Sequence, residues 1–173
     1  MNSIVSYQSK YDKYLAGTVN LTPSEERGRK LFFQEYNQFI PDSSGADCAH
    51  CHSGFNFEND RYMNNGLDAT FQDSGRAKAT KNGQDAGKFK VVSLRNIALT
   101  APYMHDGRFQ SLEQVLEHYN NGVKQSSTLD PAMEQTRGTG LRLDNQDKSD
   151  LIAFLNTLTD NQFINNSKYT NPH

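Results

Sequence analysis

Two thiols and two imidazoles fall within five positions of this sequence, in Cys48-Ala49-His50-Cys51-His52. The pattern is C-x-x-C-H, the spacing of a c-type haem attachment site. On one helical turn, thiols three residues apart can each add to a vinyl group of the same porphyrin. The imidazole that follows is then left beneath the ring to bind iron. Three other chemistries compete with this one. A Cys48–Cys51 disulfide would close a tiny loop and constrain little. A thioredoxin-like redox pair needs a preceding strand in a βαβ context, which the surrounding sequence does not offer. A zinc site needs a fourth ligand beside Cys48, Cys51 and His52, to come from His50, His105 or His118. The pentapeptide favours haem, with His50 a variable residue of the motif.

The elements that must position this cluster are helical. Thr22 caps a helix expected over 23–37, with Pro23 in its first turn, Glu25 closing a capping box, and Leu31, Phe32 and Tyr36 at helical spacing. A second helix follows Ser111, whose box partner is Gln114, and stops at Gly122; Leu112, Val115, Leu116 and Tyr119 form its apolar face. A third starts after Asp144 and runs to about Thr159, with Leu151, Ile152, Phe154, Leu155 and Leu158 as a wide apolar stripe. Residues 55–110 are rich in Gly, Asn, Asp and Lys without periodicity and read as irregular loop with short helical turns rather than strands. Loop on that scale is usually draped around a ligand or a second domain.

Length and charge bound the rest. At 173 residues the chain holds one domain with a real core. Its net charge of -2 is interspersed, with no Lys/Arg run, so no nucleic-acid partner is expected. The longest apolar runs, such as 151–155, fall far short of a membrane span, and no charged-then-apolar leader follows Met1, so no membrane partner is expected either. A hydrophobic content of 35% beside 22% charge is polar for a globular domain and points to a prosthetic group filling part of the core. Having no thiols beyond the two in the motif fits an oxidising compartment.

Four blocks carry a resemblance: "LTPSEERGRKLFF", "CAHCHSGFNFENDRYMNNGL", "GKFKVVSLRNIALTAPYMHDGRFQSLEQVLEHYNNG" and "DKSDLIAFLNTLTD". In order and separation they resemble the C-terminal haem domain of the bacterial di-haem cytochrome c peroxidases and their MauG-like relatives, over roughly residues 8–160. The resemblance implies a mostly α fold, a cytochrome c-like haem domain with long irregular loops. It divides the chain into a linker-like segment (1–20), the haem domain (21–160) and a C-terminal tail (161–173). It further implies one covalently bound haem c, held by Cys48, Cys51 and His52, and a periplasmic location. In that family the complete protein reduces hydrogen peroxide at an N-terminal haem. The C-terminal haem takes electrons from a small cytochrome c or copper protein. A calcium ion lies between the domains, and the carbonyls of Thr100 and Pro102 match its C-terminal contributors. Homodimers are usual. Only one C-x-x-C-H is present, so the N-terminal haem domain is missing, no catalytic residue for peroxide is assigned, and the chain reads as half of a longer protein. The alternative is a stand-alone mono-haem electron carrier.

The sixth iron ligand has four candidates: Met104, Met133, His118 and Tyr119. At about 100° per residue, Tyr119 lies mid-sector on the apolar face of the second helix, and His118 at the sector's edge or beyond. The di-haem peroxidases typically place methionine at the corresponding helix position and MauG-like proteins tyrosine, so the resemblance favours Tyr119, with Met104 in its proline-bounded loop as the rival. The plain alternative for Tyr119 is a core tyrosine with a bonded hydroxyl. Arg95, His105 and Asp106 lie in the family-like blocks. Their expected roles are a propionate partner for Arg95 and hydrogen bonds near the haem edge for His105 and Asp106. The plain alternatives are a surface charge and a turn at Asp106-Gly107. Phe55, Phe57 and Tyr62 are expected to pack against the ring.

Overall fold

The computed structural model describes residues 5–40 and 43–169. The predicted capping box opens helix α2 (Pro23–Phe33): the Thr22 hydroxyl accepts the Glu25 N–H, and the Glu25 carboxylate accepts the Thr22 N–H. This helix ends at Phe33 rather than 37, because Gln34 turns extended. Its carbonyl then receives the Asp47 N–H at 3.0 Å while the Glu35 carbonyl receives that of Gly45 at 2.9 Å. Backbone that would have continued the helix fastens the cysteine segment instead.

The third predicted helix is α6 (Asn145–Asn156), opened by a reciprocal Asp144–Asp147 capping box. It crosses α2 at Gly28, and Phe32, Leu151, Phe154, Leu155 and Leu158 make the buried contact between them. Gly28 is there because nothing larger fits: a Cβ at this position would stand 1.9 Å from the Asp150 carbonyl oxygen. Between the two helices come the short helices α3 (Ala77–Thr80), α4 (Leu112–Glu117) and α5 (Pro131–Glu134), and α7 (Asn161–Ile164) follows them. The segment 55–110 is mostly turns, with one departure from expectation. Strands β1 (Tyr62–Met63) and β2 (Phe89–Lys90) pair antiparallel, Tyr62 opposite Lys90 and Met63 opposite Phe89. A two-residue ladder is too short to leave a periodic signal in sequence. The fold is mostly α with irregular loops.

The segment read as a linker is bound to the core in its described part. Residues 10–15 form helix α1 (Lys10–Leu15), capped by Ser9 and Asp12. Tyr11 is only 6% exposed and meets Phe154 edge-on at 5.1 Å and Phe57 at 5.7 Å. Asp160 ties the preceding strand-like residues down, its carboxylate accepting the N–H groups of Tyr7 (3.0 Å) and Gln8 (2.9 Å) and the Ser6 hydroxyl (3.1 Å). Sequence composition at 1–20 reported the exposed face of α1 but not the single tyrosine that anchors it. Of the tail, α7 and a turn at Ser167–Tyr169 are described, and residues 170–173 lie outside the described residues.

Arg95 joins this anchor. Its guanidinium forks onto Asp12 with two bonds of 3.0 Å, and its Nε donates to the Phe55 carbonyl at 2.9 Å. Burial works to raise the Asp12 pKa, but the bonds from Arg95 and Ser9 outweigh it and hold the carboxyl below its ordinary value. A folded-state pKa below the unfolded one means stability that is complete above about pH 4 and lost as pH falls through the folded value. We expect Asp12→Ala to lose roughly 2 kcal/mol in denaturant titrations at pH 7. The gap to the parent should close in titrations repeated below about pH 4; a gap constant with pH would show that the ion pair contributes nothing.

Candidate haem site

The cysteine motif is held by the end of α2. Ala46 donates to the Leu31 carbonyl at 2.8 Å, and Asp47 takes a left-handed φ of 49° that starts a tight turn at Cys48–His50. The turn closes when the His52 N–H donates to the Cys48 carbonyl at 2.9 Å. One turn therefore carries both thiols, with the His52 imidazole immediately after it, as the pattern demands. Both cysteines are free thiols. Burial pushes the Cys48 thiol up to about 12, helped by Asp47 and Cys51, and burial with Asp130 and Asp47 does the same to Cys51. Both are protonated at neutral pH.

His52 is oriented by backbone. Its Nδ1 lies 3.1 Å from the Phe57 carbonyl and 3.1 Å from that of Val92. Carbonyls only accept, so Nδ1 carries the proton and Nε2 keeps its lone pair. Burial lowers the His52 pKa against these two bonds, which keeps the ring neutral, the form that binds a metal.

The facing wall comes from the chain after α4. Helix α4 ends at Glu117 and winds into a π turn at His118–Gly122. Extra backbone in the turn corrects the helical-wheel placement, because it turns His118 inside while Tyr119 is only half-buried. His118, expected at the edge, is 6% exposed, and its Nε2 donates to the Asn65 carbonyl at 3.1 Å. Tyr119 is buried enough to push its phenol up to about 12, against a hydrogen bond from Asn65, and both thiols act on it electrostatically. The Asn65 Nδ2 stands 3.3 Å from the Tyr119 hydroxyl and 3.4 Å from the Met104 sulfur. Two candidate ligands, one an oxygen and one a sulfur, thus converge on one amide.

No family model matches the chain. MauG of Methylophilus methylotrophus is 31% identical over 157 residues, 90% of this chain and 43% of that protein. Cytochrome-c peroxidase IdrP1 of Pseudomonas sp. (strain SCT) is 32% identical over 194 aligned residues, 91% of this chain and 46% of that protein. The crystal structure of a MauG-like protein associated with microbial copper homeostasis superposes with a TM-score of 0.83 at 33% identity, over 96% of this chain and 52% of that one. It is a haem domain of the MauG and di-haem cytochrome c peroxidase family. The chain spans about half the length of these relatives or less. They do not favour a stand-alone electron carrier.

The residues of this MauG-like domain fit a covalently attached haem: two unpaired protonated thiols on one turn, and an imidazole whose Nε2 is left free by two carbonyls at Nδ1. A zinc site lacks its donors, since among the described residues no group of three His, Cys, Asp or Glu comes together; His50 turns toward Asp130 at 3.7 Å. Several predicted residues have protein partners of their own. Arg95, expected on a propionate, has its charge neutralised by Asp12. The exposed His105 ring stacks flat on Phe89 at 3.7 Å, and Asp106 pairs with Arg108 at 2.6 Å. Phe57 belongs to the aromatic core, but Phe55 is 58% exposed beneath Arg95 and Tyr62 is 42% exposed beneath Arg76. Met133 sits in α5, whose N-cap Asp130 lies beside His50. Asn65 went unnoticed in sequence because "NNG" reads as a turn and nothing more.

Proposed function

We propose that this domain is the c-type haem electron-transfer module of a di-haem oxidoreductase. The complete periplasmic protein reduces hydrogen peroxide with electrons from a small cytochrome c or copper protein. The observation that carries the proposal is the pairing of a C-x-x-C-H turn with a half-buried phenol close enough to feel both thiols. Cys48 and Cys51 would hold a single haem, His52 Nε2 and the Tyr119 hydroxyl oxygen would bind its iron, and Met104 is the rival for Tyr119. When bound, the haem supplies an iron centre that exchanges one electron at a time, its potential set by the axial ligands. An oxygen ligand at Tyr119 would favour the ferric state over what a thioether would. A second, N-terminal haem domain supplies the peroxide site. Thr100 and Pro102 are both exposed, and among the described residues neither carbonyl accepts a hydrogen bond, which leaves them available to a calcium ion shared with that domain.

The test is the visible spectrum, oxidised and dithionite-reduced, of the haem-loaded protein and its Tyr119→Phe variant. The parent is expected to be low-spin in the oxidised state without a methionine-sulfur band, and the variant high-spin. A sulfur band in the parent that survives the substitution would transfer the sixth position to Met104.

A further inference from the structure

We infer that Asn65 is a positioning residue that makes Tyr119, rather than Met104, the sixth ligand. This rests on the reading above in which Tyr119 binds iron. The Asn65 amide touches both rivals, at 3.3 Å to the phenol oxygen and 3.4 Å to the sulfur, and it does not treat them alike. Once iron displaces the phenol proton, an N–H donated to that phenolate oxygen would be a charge-assisted bond, about twice as strong as a neutral one, whereas a thioether is a weak acceptor. The donor therefore weights the competition toward oxygen.

Asn65 is held where it can do this. Its carbonyl accepts from His118 Nε2 while its side chain meets Tyr119, so one residue grips two successive positions of the π turn. The flanking residues are fixed as well. The Asn64 side chain donates to Ser126 (2.9 Å) and Thr128 (3.0 Å) and accepts the Gly66 N–H (2.9 Å), and the Gly66 carbonyl accepts from Lys124 at 2.7 Å. Gly66 itself has a φ of 69° and stands so near Val123 that a Cβ would lie 2.6 Å from its methyl. Met104 is restrained too. Its φ of 72° is rare for a residue with a side chain, a conformation that persists only where the surroundings impose it. The sulfur is thus presented beside the phenol by a strained backbone, and the amide between them is the asymmetric element.

The experiment compares haem-loaded parent, Asn65→Asp and Asn65→Leu, each with and without Met104→Leu, by visible spectrum and midpoint potential, with Tyr119→Phe as reference. Asp keeps the shape of Asn and removes the donor, so it tests the bond without a cavity. Loss of the bond is expected to shift the oxygen-to-sulfur ratio roughly tenfold to hundredfold toward sulfur. Both Asn65 variants should gain the methionine-sulfur band and a higher potential, and the band should vanish when Met104→Leu is added. Folded Asn65 variants with the parent's spectrum and potential overturn the inference, provided that Tyr119→Phe changes the spectrum. If Tyr119→Phe changes nothing, the ligand reading itself fails and Asn65 falls with it. A high-spin spectrum without the sulfur band in the Asn65 variants overturns Met104 as the competitor.

Discussion

Replacing Cys48 and Cys51 together by alanine is expected to reduce covalently bound haem from one per chain to none, read directly as the mass of the intact protein. The reason is geometric. The two thiols share one turn, closed by the His52-to-Cys48 bond at 2.9 Å, so both can reach the vinyl groups of one porphyrin. Among the described residues there is no third cysteine to substitute for them. Each single variant keeps one attachment and should still show the adduct, in lower yield. His52→Ala separates attachment from ligation, because the thiols remain while the oriented imidazole is lost: the adduct should persist with a spectrum that is no longer low-spin. A double cysteine variant that still carries the haem mass under denaturing conditions would sink the attachment assignment.

A large stability effect is expected at Gly28. An alanine Cβ there would stand 1.9 Å from the Asp150 carbonyl oxygen and 2.4 Å from its carbon, both backbone atoms that no rotamer change can move. Helices α2 and α6 would have to separate, which loosens the contact of Phe32 with Leu151, Phe154 and Leu155. Overpacking a well-packed contact typically costs about 1–3 kcal/mol, and here the obstruction is main chain, so we expect at least about 3 kcal/mol. For a chain of this size that lowers the melting temperature by roughly 6–12 °C. Gly54→Ala is the control. That glycine has a φ of 68° but open space around it, so only the conformational strain of about 1 kcal/mol applies. Equal losses at the two sites would show that close approach at the crossing is not what Gly28 provides.

Sequence was most informative where the determinant is local. The C-x-x-C-H spacing, the Thr22–Glu25 box and the apolar stripe of α6 are each set by residues within about one or two turns of one another, and all three take the predicted form. Capping at Ser111 shows the limit of such reading. The Ser111 hydroxyl does accept the Gln114 N–H, but the Gln114 side chain returns to Gln110 at 2.6 Å rather than to the cap, since the preceding loop offers it a nearer donor.

Thus the amino-acid sequence alone determined the single turn that carries both thiols, the haem-domain family and the three helices of the scaffold, because each rests on residues that are near neighbours along the chain. The tertiary structure decided what depends on distant segments meeting. It gave Arg95 to Asp12 across 83 positions, anchored the N-terminal segment through Tyr11, and turned His118 inward on a π turn that helical periodicity does not encode. It also placed Asn65 between Met104 and Tyr119, 39 and 54 positions away, and only folding could bring those three side chains to one point.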